Sequence, residues 1–249
     1  MTRVARVNMM VSLTLVIRLS IALFSFIWII ALAGYSYALP QIQDSSDSNM
    51  VVNTQTFDDN MDSVADRYVM TVNAANNTII NYTSFNILEN ESFVVTLPDS
   101  SSQILNRVTG PDVSNIFGGL TCNGLFVLVN TNGINIGSSA RIDTGSLILS
   151  TRNITDSDFL SANYRFTKDT AKDTDRLLLN KGNITIREGG FGVLIAGAID
   201  NQGYIIAPMG KIALLGCDAV KLDIAGHGDR KSTRLNSSHS AKSRMPSSA

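Results

Sequence analysis

The chain has 249 residues, 44% of them hydrophobic, and a formal net charge of −1. That balance hides an asymmetry: three of the 20 basic residues lie in the first 38 positions and five lie beyond Gly228, leaving 12 basic against 20 acidic residues, net −8, in 39–228. A surface of that sign repels phosphate backbones and argues against a nucleic-acid partner, while a middle of about 190 residues suffices for one all-β domain.

Positions 1–38 read as a signal peptide. Arg3, Arg6 and Arg18 supply a positive start, 19–33 is an apolar run, and Ser36-Tyr37-Ala38 puts small residues at −3 and −1, so cleavage is expected after Ala38. The run is shorter than the ~20 apolar residues of a bilayer helix, which disfavours an uncleaved anchor. Residues 39–65 are polar and read as a flexible mature N-terminus.

From 66 onward the pattern becomes strand-like. Tyr68, Met70 and Val72 alternate with polar or small neighbours, and short apolar runs end at Asn, Glu, Pro and Asp. The first strands, about 66–97, are expected to cap the N-terminal end. Near the end a repeat emerges. Asn180-Lys181-Gly182 and Asn201-Gln202-Gly203 lie 21 residues apart, and Gly190 and Gly210 lie 20 apart, each glycine leading into an apolar run. Such a period, with no helix inside it, indicates a β-solenoid. Ile184, Ile186, Val193, Ile195, Ile205, Ile212 and Leu214 are expected to point inward, and Asn180 and Asn201 to stack as an amide ladder. At ~20 residues per coil the exported part is expected to make roughly seven to nine coils. The polar segment 155–175 interrupts this pattern and reads as a protruding insertion. The predicted fold is all-β: a right-handed parallel β-helix with N-terminal capping strands, preceded by a signal-peptide helix.

Residues 229–249 are basic and Ser-rich and read as a translated sequencing adapter rather than native chain, which implies a domain (66–228) truncated at its C-terminal side. Cys122 and Cys217 are 95 positions apart without motif spacing, and no bridge is expected.

Chemistry is sparse. His227 is the one histidine before the tail, so neither a His-based triad nor a His metal cluster assembles. The runs Asp156-Ser157-Asp158 and Asp58-Asp59-Asn60-Met61-Asp62 lack a calcium-loop spacing. No catalytic residue, cofactor or metal is predicted, and the protein is not expected to be an enzyme.

The segment 104–166 carries the most information. It contains Asn106-Arg107-Val108-Thr109-Gly110, the turn Asn130-Thr131-Asn132-Gly133-Ile134, and the strand Gly145-Ser146-Leu147-Ile148-Leu149-Ser150-Thr151. On these blocks the chain resembles the secretion domain of two-partner-secretion exoproteins, the filamentous haemagglutinin family. That family carries Asn-Arg-Val-Thr-Gly, then Asn-Pro-Asn-Gly-Ile, then a Gly-Leu-(Ile/Val)-Ala-Ser-Thr strand. Thr131 departs from the family's Pro and Ser146 from a frequent second Gly. The likeness covers about 84–216, most of the exported part.

The resemblance implies the N-terminal secretion domain of a large exported adhesin- or haemagglutinin-like protein of a Gram-negative bacterium. It would pass through the periplasm to the cell surface or medium and act as a monomer. Its partner would be an outer-membrane pore with periplasmic polypeptide-transport-associated domains, and a host-surface ligand would fall to regions downstream. It further implies that Asn130, Asn132, Gly133, Ile134, Asn106, Arg107, Val108, Thr109 and Gly110 serve fold and partner recognition. Read from the residues alone, Arg107 is equally a fork bonding turn carbonyls or a solvated surface side chain. The alternative function is a secreted β-helix that binds or degrades polysaccharide, with Asp156, Asp158, Arg165 and Lys168 as its candidate residues.

Overall fold

Short alternating runs bounded by Gly and Asn become strands wherever neighbouring coils can accept their apolar side. The structure, a computed structural model, describes residues 38–43, 49–61, 65–168 and 175–224. The segment 229–249 and, Ala38 aside, the leader expected over 1–38 lie outside these.

Three strand directions repeat around an elongated interior. The first face stacks β3 (Arg67–Ala74), β5 (Glu91–Thr96), residues 119–122 of β8 (Gly119–Asn130), residues 141–144 of β10 (Arg141–Ser150), β13 (Asn183–Ile186) and β16 (Tyr204–Ile206), all parallel. The second stacks β4 (Thr78–Ser84), β6 (Gln103–Val108), the rest of β8 and β10, β14 (Phe191–Ala196) and β17 (Lys211–Gly216). The third stacks β7 (Ser114–Ile116), β9 (Ile134–Ile136), β12 (Leu177–Asn180) and β15 (Ala198–Asn201), with Ile87 bridging to Ile116. The result is a parallel β-solenoid of about six turns.

Among the described residues fewer turns form than the seven to nine expected, because two stretches do not coil. One is 39–65. Its polar composition suggested flexibility, but it carries β1 (Gln41–Ile42), antiparallel to β4, and β2 (Met50–Phe57), antiparallel to β3 along its whole length. Main-chain bonds to an open sheet edge require no apolar side chains, so composition did not reveal them. These strands, with Leu39 buried in the core, cover the N-terminal end. The cap therefore lies upstream of 66–97, whose strands form the first coils.

The other stretch is the insertion between β10 and β12. It holds α1 (Asp156–Leu160) and β11 (Arg165–Thr167), which pairs antiparallel with β18 (Ala219–Lys221). It leaves the coil and then lies against the outer surface of the second face.

Two hydrophobic cores follow. The inner one fills the solenoid with Ile80, Phe93, Ile104, Phe126, Leu149, Ile184 and Leu194 among others. At its N-terminal end Tyr82, Phe85, Phe93 and Phe126 pack mostly edge to face, at centroid distances of 5.1–6.4 Å. The outer core joins Leu105, Val127, Ile148, Val193 and Ile195 to Ile154, Phe159, Tyr164 and Phe166 of the insertion. Val193 and Ile195, expected inward, thus face outward under the insertion, while Leu194 and Ala196 face in. Ile184 and Ile186 do point inward. Leu214 keeps the inward register below Leu194 yet is 44% exposed in the last described turn. The amide ladder forms, Asn180 Nδ2 donating to Asn201 Oδ1 at 2.7 Å. Both cysteines are free; Cys122 is buried in the inner core, where desolvation pushes its thiol up to about 11, and Cys217 lies beside the outer core.

Candidate functional site

β8 ends at a corner where the chain must turn into β9 without leaving a buried polar group unpaired. Asn130, fully buried, does this with both polar atoms of its side chain. Its Oδ1 accepts the Asn132 N–H at 2.9 Å, and its Nδ2 donates to the Asp112 carbonyl at 3.0 Å and to Ser114 Oγ at 2.9 Å. The Gly133 N–H closes the turn on the Asn130 carbonyl at 3.1 Å. Gly133 has φ 125°, a region that disfavours side chains, and a Cβ there would lie 3.2 Å from the Leu177 carbonyl of the next coil. Ile134 then turns inward and is 1% exposed.

Asn132 joins this corner to the upstream block, its Nδ2 donating to the Gly110 carbonyl at 2.7 Å. That block alternates across β6. Asn106 and Val108 are buried on the inward side; the Tyr82 hydroxyl donates to Asn106 Oδ1 at 3.0 Å, and Asn106 Nδ2 donates to the Val127 carbonyl at 3.2 Å. Burial pushes the Tyr82 phenol well up, so it stays a neutral donor. Thr109 Oγ1 lies within hydrogen-bond distance of Gln43 Oε1 at 2.9 Å and of the Tyr82 carbonyl at 3.0 Å, its one O–H serving either, which ties the block to the N-terminal cap. Gly110 runs against β4 so closely that a Cβ would come within 2.0 Å of the Thr83 carbonyl oxygen.

Arg107 faces outward, and it is a fork, though onto one carbonyl and one carboxylate rather than onto turn carbonyls. Nη2 donates to the Ile154 carbonyl at 2.7 Å and Nη1 contacts Asp156 at 2.7 Å, so Arg107 holds the start of the insertion. At the insertion's far end Arg152, fully buried, donates through Nε to the Cys217 carbonyl at 2.7 Å and through Nη2 to Asp175 and Asp218 at 3.2 and 3.3 Å. Lys168 joins both carboxylates. The Lys168 ammonium first, then the Arg152 guanidinium, hold the Asp175 carboxyl below the usual carboxylate range. Tyr164 donates to Gln103 on β6.

The nine motif residues therefore come together along one edge of the second face and its corner. The charges named for the polysaccharide alternative do not. Asp156 pairs with Arg107, Asp158 with Thr155 and Asn163, and Lys168 with Asp175, which leaves Arg165 on β11. No group of three or more His, Cys, Asp or Glu suited to a metal occurs among the described residues. Sequence reading missed Arg152 and the docked insertion. The signal was present in Leu125-Phe126-Val127-Leu128-Val129 and Val193-Leu194-Ile195-Ala196, runs without a polar break that mark strands buried on both sides.

Residues 42–246 match the model of one protein family, described as the TPS secretion domain. Two heme/hemopexin-binding proteins of Haemophilus influenzae are each 33% identical to the chain, over 134 and 103 residues, or 52% and 41% of it. These stretches span 15% and 11% of those proteins' own lengths. Among solved structures, the crystal structure of the HMW1 secretion domain from Haemophilus influenzae superposes with a TM-score of 0.64 at 28% identity, covering 77% of this chain and 49% of that one.

Proposed function

We propose, from the premise that this chain belongs to the TPS secretion domain family, that the segments 106–110 and 130–134 link its export to its folding. The chain is a secretion domain of the two-partner type. Domains of this kind engage a partner transporter in the outer membrane of Gram-negative bacteria, and the family is one of secretion domains of binding or adhesin-type proteins rather than of enzymes.

In this reading a leader ending at Ala38 directs the chain to the periplasm. There the extended chain meets the periplasmic transport-associated domains of the pore, where main-chain pairing to a sheet edge supplies affinity. The exported protein then reaches the cell surface or medium, where its remaining regions act as an adhesin or bind a host ligand such as a haem carrier. Outside the membrane each turn that docks resists return through the pore. The observation that carries this reading is the 2.7 Å bond from Asn132 to the Gly110 carbonyl, which makes the two segments one unit. The corner closes only when both have emerged.

The test is co-expression of the chain with a TPS transporter and measurement of the fraction outside the cell. Asn132→Ala and Gly133→Val should lower it severalfold, and Asn135→Ala, one residue beyond the segment, should leave it unchanged. Equal export of all three would refute the assignment.

A further inference from the structure

We infer that the carboxylate of Glu91 is the docking site of the α-ammonium group released when the leader is cut, so that the fold gains an ion pair on processing. The inference rests on the export reading through its leader.

Glu91 is the first residue of β5, and its side chain shares the parity of Phe93 and Val95, which lie in the inner core. The carboxylate therefore enters the solenoid at its N-terminal end, where the residue is 1% exposed. Oε1 accepts the Ala38 N–H at 2.6 Å and Oε2 accepts the Leu88 N–H at 2.7 Å. Both donors are neutral backbone amides. No lysine, arginine or histidine among the described residues forms an ion pair with it. A carboxylate withdrawn from water without a cation is costly, and an ammonium donor adds a full opposite charge that a neutral amide lacks.

The chain supplies such a donor at the right place. Leu39 is buried in the inner core and Pro40 beside it is buried too, after which β1 is held on β4, so the entry point of the chain is fixed. Ser36 and Ala38 direct cleavage to the Ala38–Leu39 bond. Hydrolysis adds one water across that bond: the hydroxyl goes to the Ala38 carbonyl carbon and a proton to the Leu39 nitrogen. At neutral pH the new acid's proton also ends on that nitrogen, leaving a carboxylate on the departing leader and an ammonium on Leu39. The cut removes the amide that now holds Oε1 and creates a charged donor one peptide unit away, under about 4 Å. Anchored by its own buried side chain, Leu39 needs only a swing of its nitrogen to reach the carboxylate. The leader-bearing chain therefore has a weaker first turn than the processed one.

The experiment uses the processed chain, 39–249, released from a fusion so that it begins at Leu39, with its α-amine either free or acetylated. Urea unfolding should show a folding equilibrium constant roughly tenfold larger for the free amine, and Glu91→Gln should shrink that ratio below about twofold. Equal stability of the free and acetylated chains overturns the proposal, and that comparison stands even if Glu91→Gln does not fold. Sequencing the N-terminus of exported protein is the second arm. Leu39 first supports the proposal, whereas a terminus several residues downstream overturns it without touching the secretion motif, whose failure shows only in the export of Asn132 and Gly133 variants.

Discussion

Ile148 and Leu149 are neighbours in β10 and both are fully buried, yet they belong to different cores. Leu149 stacks between Leu128 and Leu194 inside the solenoid, and its cover comes from the coils on either side. Ile148 stacks between Val127 and Val193 on the outer surface, and its cover comes from the insertion. The inner column is maintained by repetition. The outer one depends on a non-repeating cover, the insertion together with β18 paired to its β11, held by Arg107, Arg152 and Tyr164. One sheet thus carries two kinds of burial, and the outer one is expected to open at lower cost than the solenoid.

The largest expected effect separates them. Leu149→Ala and Ile148→Ala each remove a fully buried aliphatic side chain and should each cost about 2–5 kcal/mol. The inner change should appear as global destabilisation in urea unfolding. The outer one should appear first as faster hydrogen exchange in β11 and β18, with the inner strands still protected. Identical exchange patterns would merge the two cores into one cooperative unit.

A smaller change acts on the outer core alone. Arg152→Met keeps the apolar stem and removes charged hydrogen bonds to three groups, for an expected loss of about 1.5–3 kcal/mol in the docking of the insertion. Thermal denaturation followed beside exchange in β11 measures it. An unchanged exchange rate would mean that the apolar contacts of Phe159 and Phe166 hold the insertion unaided.

The smallest effect is that of pH. Asp175 has its folded pKa depressed, mainly by Lys168 and then by Arg152. Its contribution is present above the unfolded value of about 3.9 and is lost as pH falls through the folded value. Because the carboxylate is 59% exposed, solvent screening keeps the effect slight. Exchange in β11 should quicken modestly below that pH while β13 does not respond.

The same contrast explains what could be read from the chain. The inner column was legible because repetition writes it twice: the Asn-x-Gly turn at 180 recurs at 201, and the apolar alternation of Ile184 and Ile186 recurs one coil later as Ile205 and Ala207. The motif blocks were legible because a fully bonded corner restricts residue choice at Asn130, Asn132 and Gly133. The outer column was not, because nothing local distinguishes Val193 facing in from Val193 facing out when Leu194 is apolar as well. Only the cover over it decides, and that cover is a polar-looking insertion whose apolar residues, Ile154, Phe159, Tyr164 and Phe166, are spaced without a period. The cap escaped for a related reason: β2 is held by main-chain bonds along β3, and backbone pairing leaves little trace in composition.

Thiol labelling tests the two-sided sheet most directly. In a chain with Cys122→Ala and Cys217→Ala, a cysteine is placed by Ile195→Cys or, one residue earlier, by Leu194→Cys. Neither should label in the folded protein at neutral pH, and adding Arg152→Met should open Ile195→Cys alone. Rapid labelling of Ile195→Cys with Arg152 intact would contradict the account, because the second face would then have water, not the insertion, on its outer side.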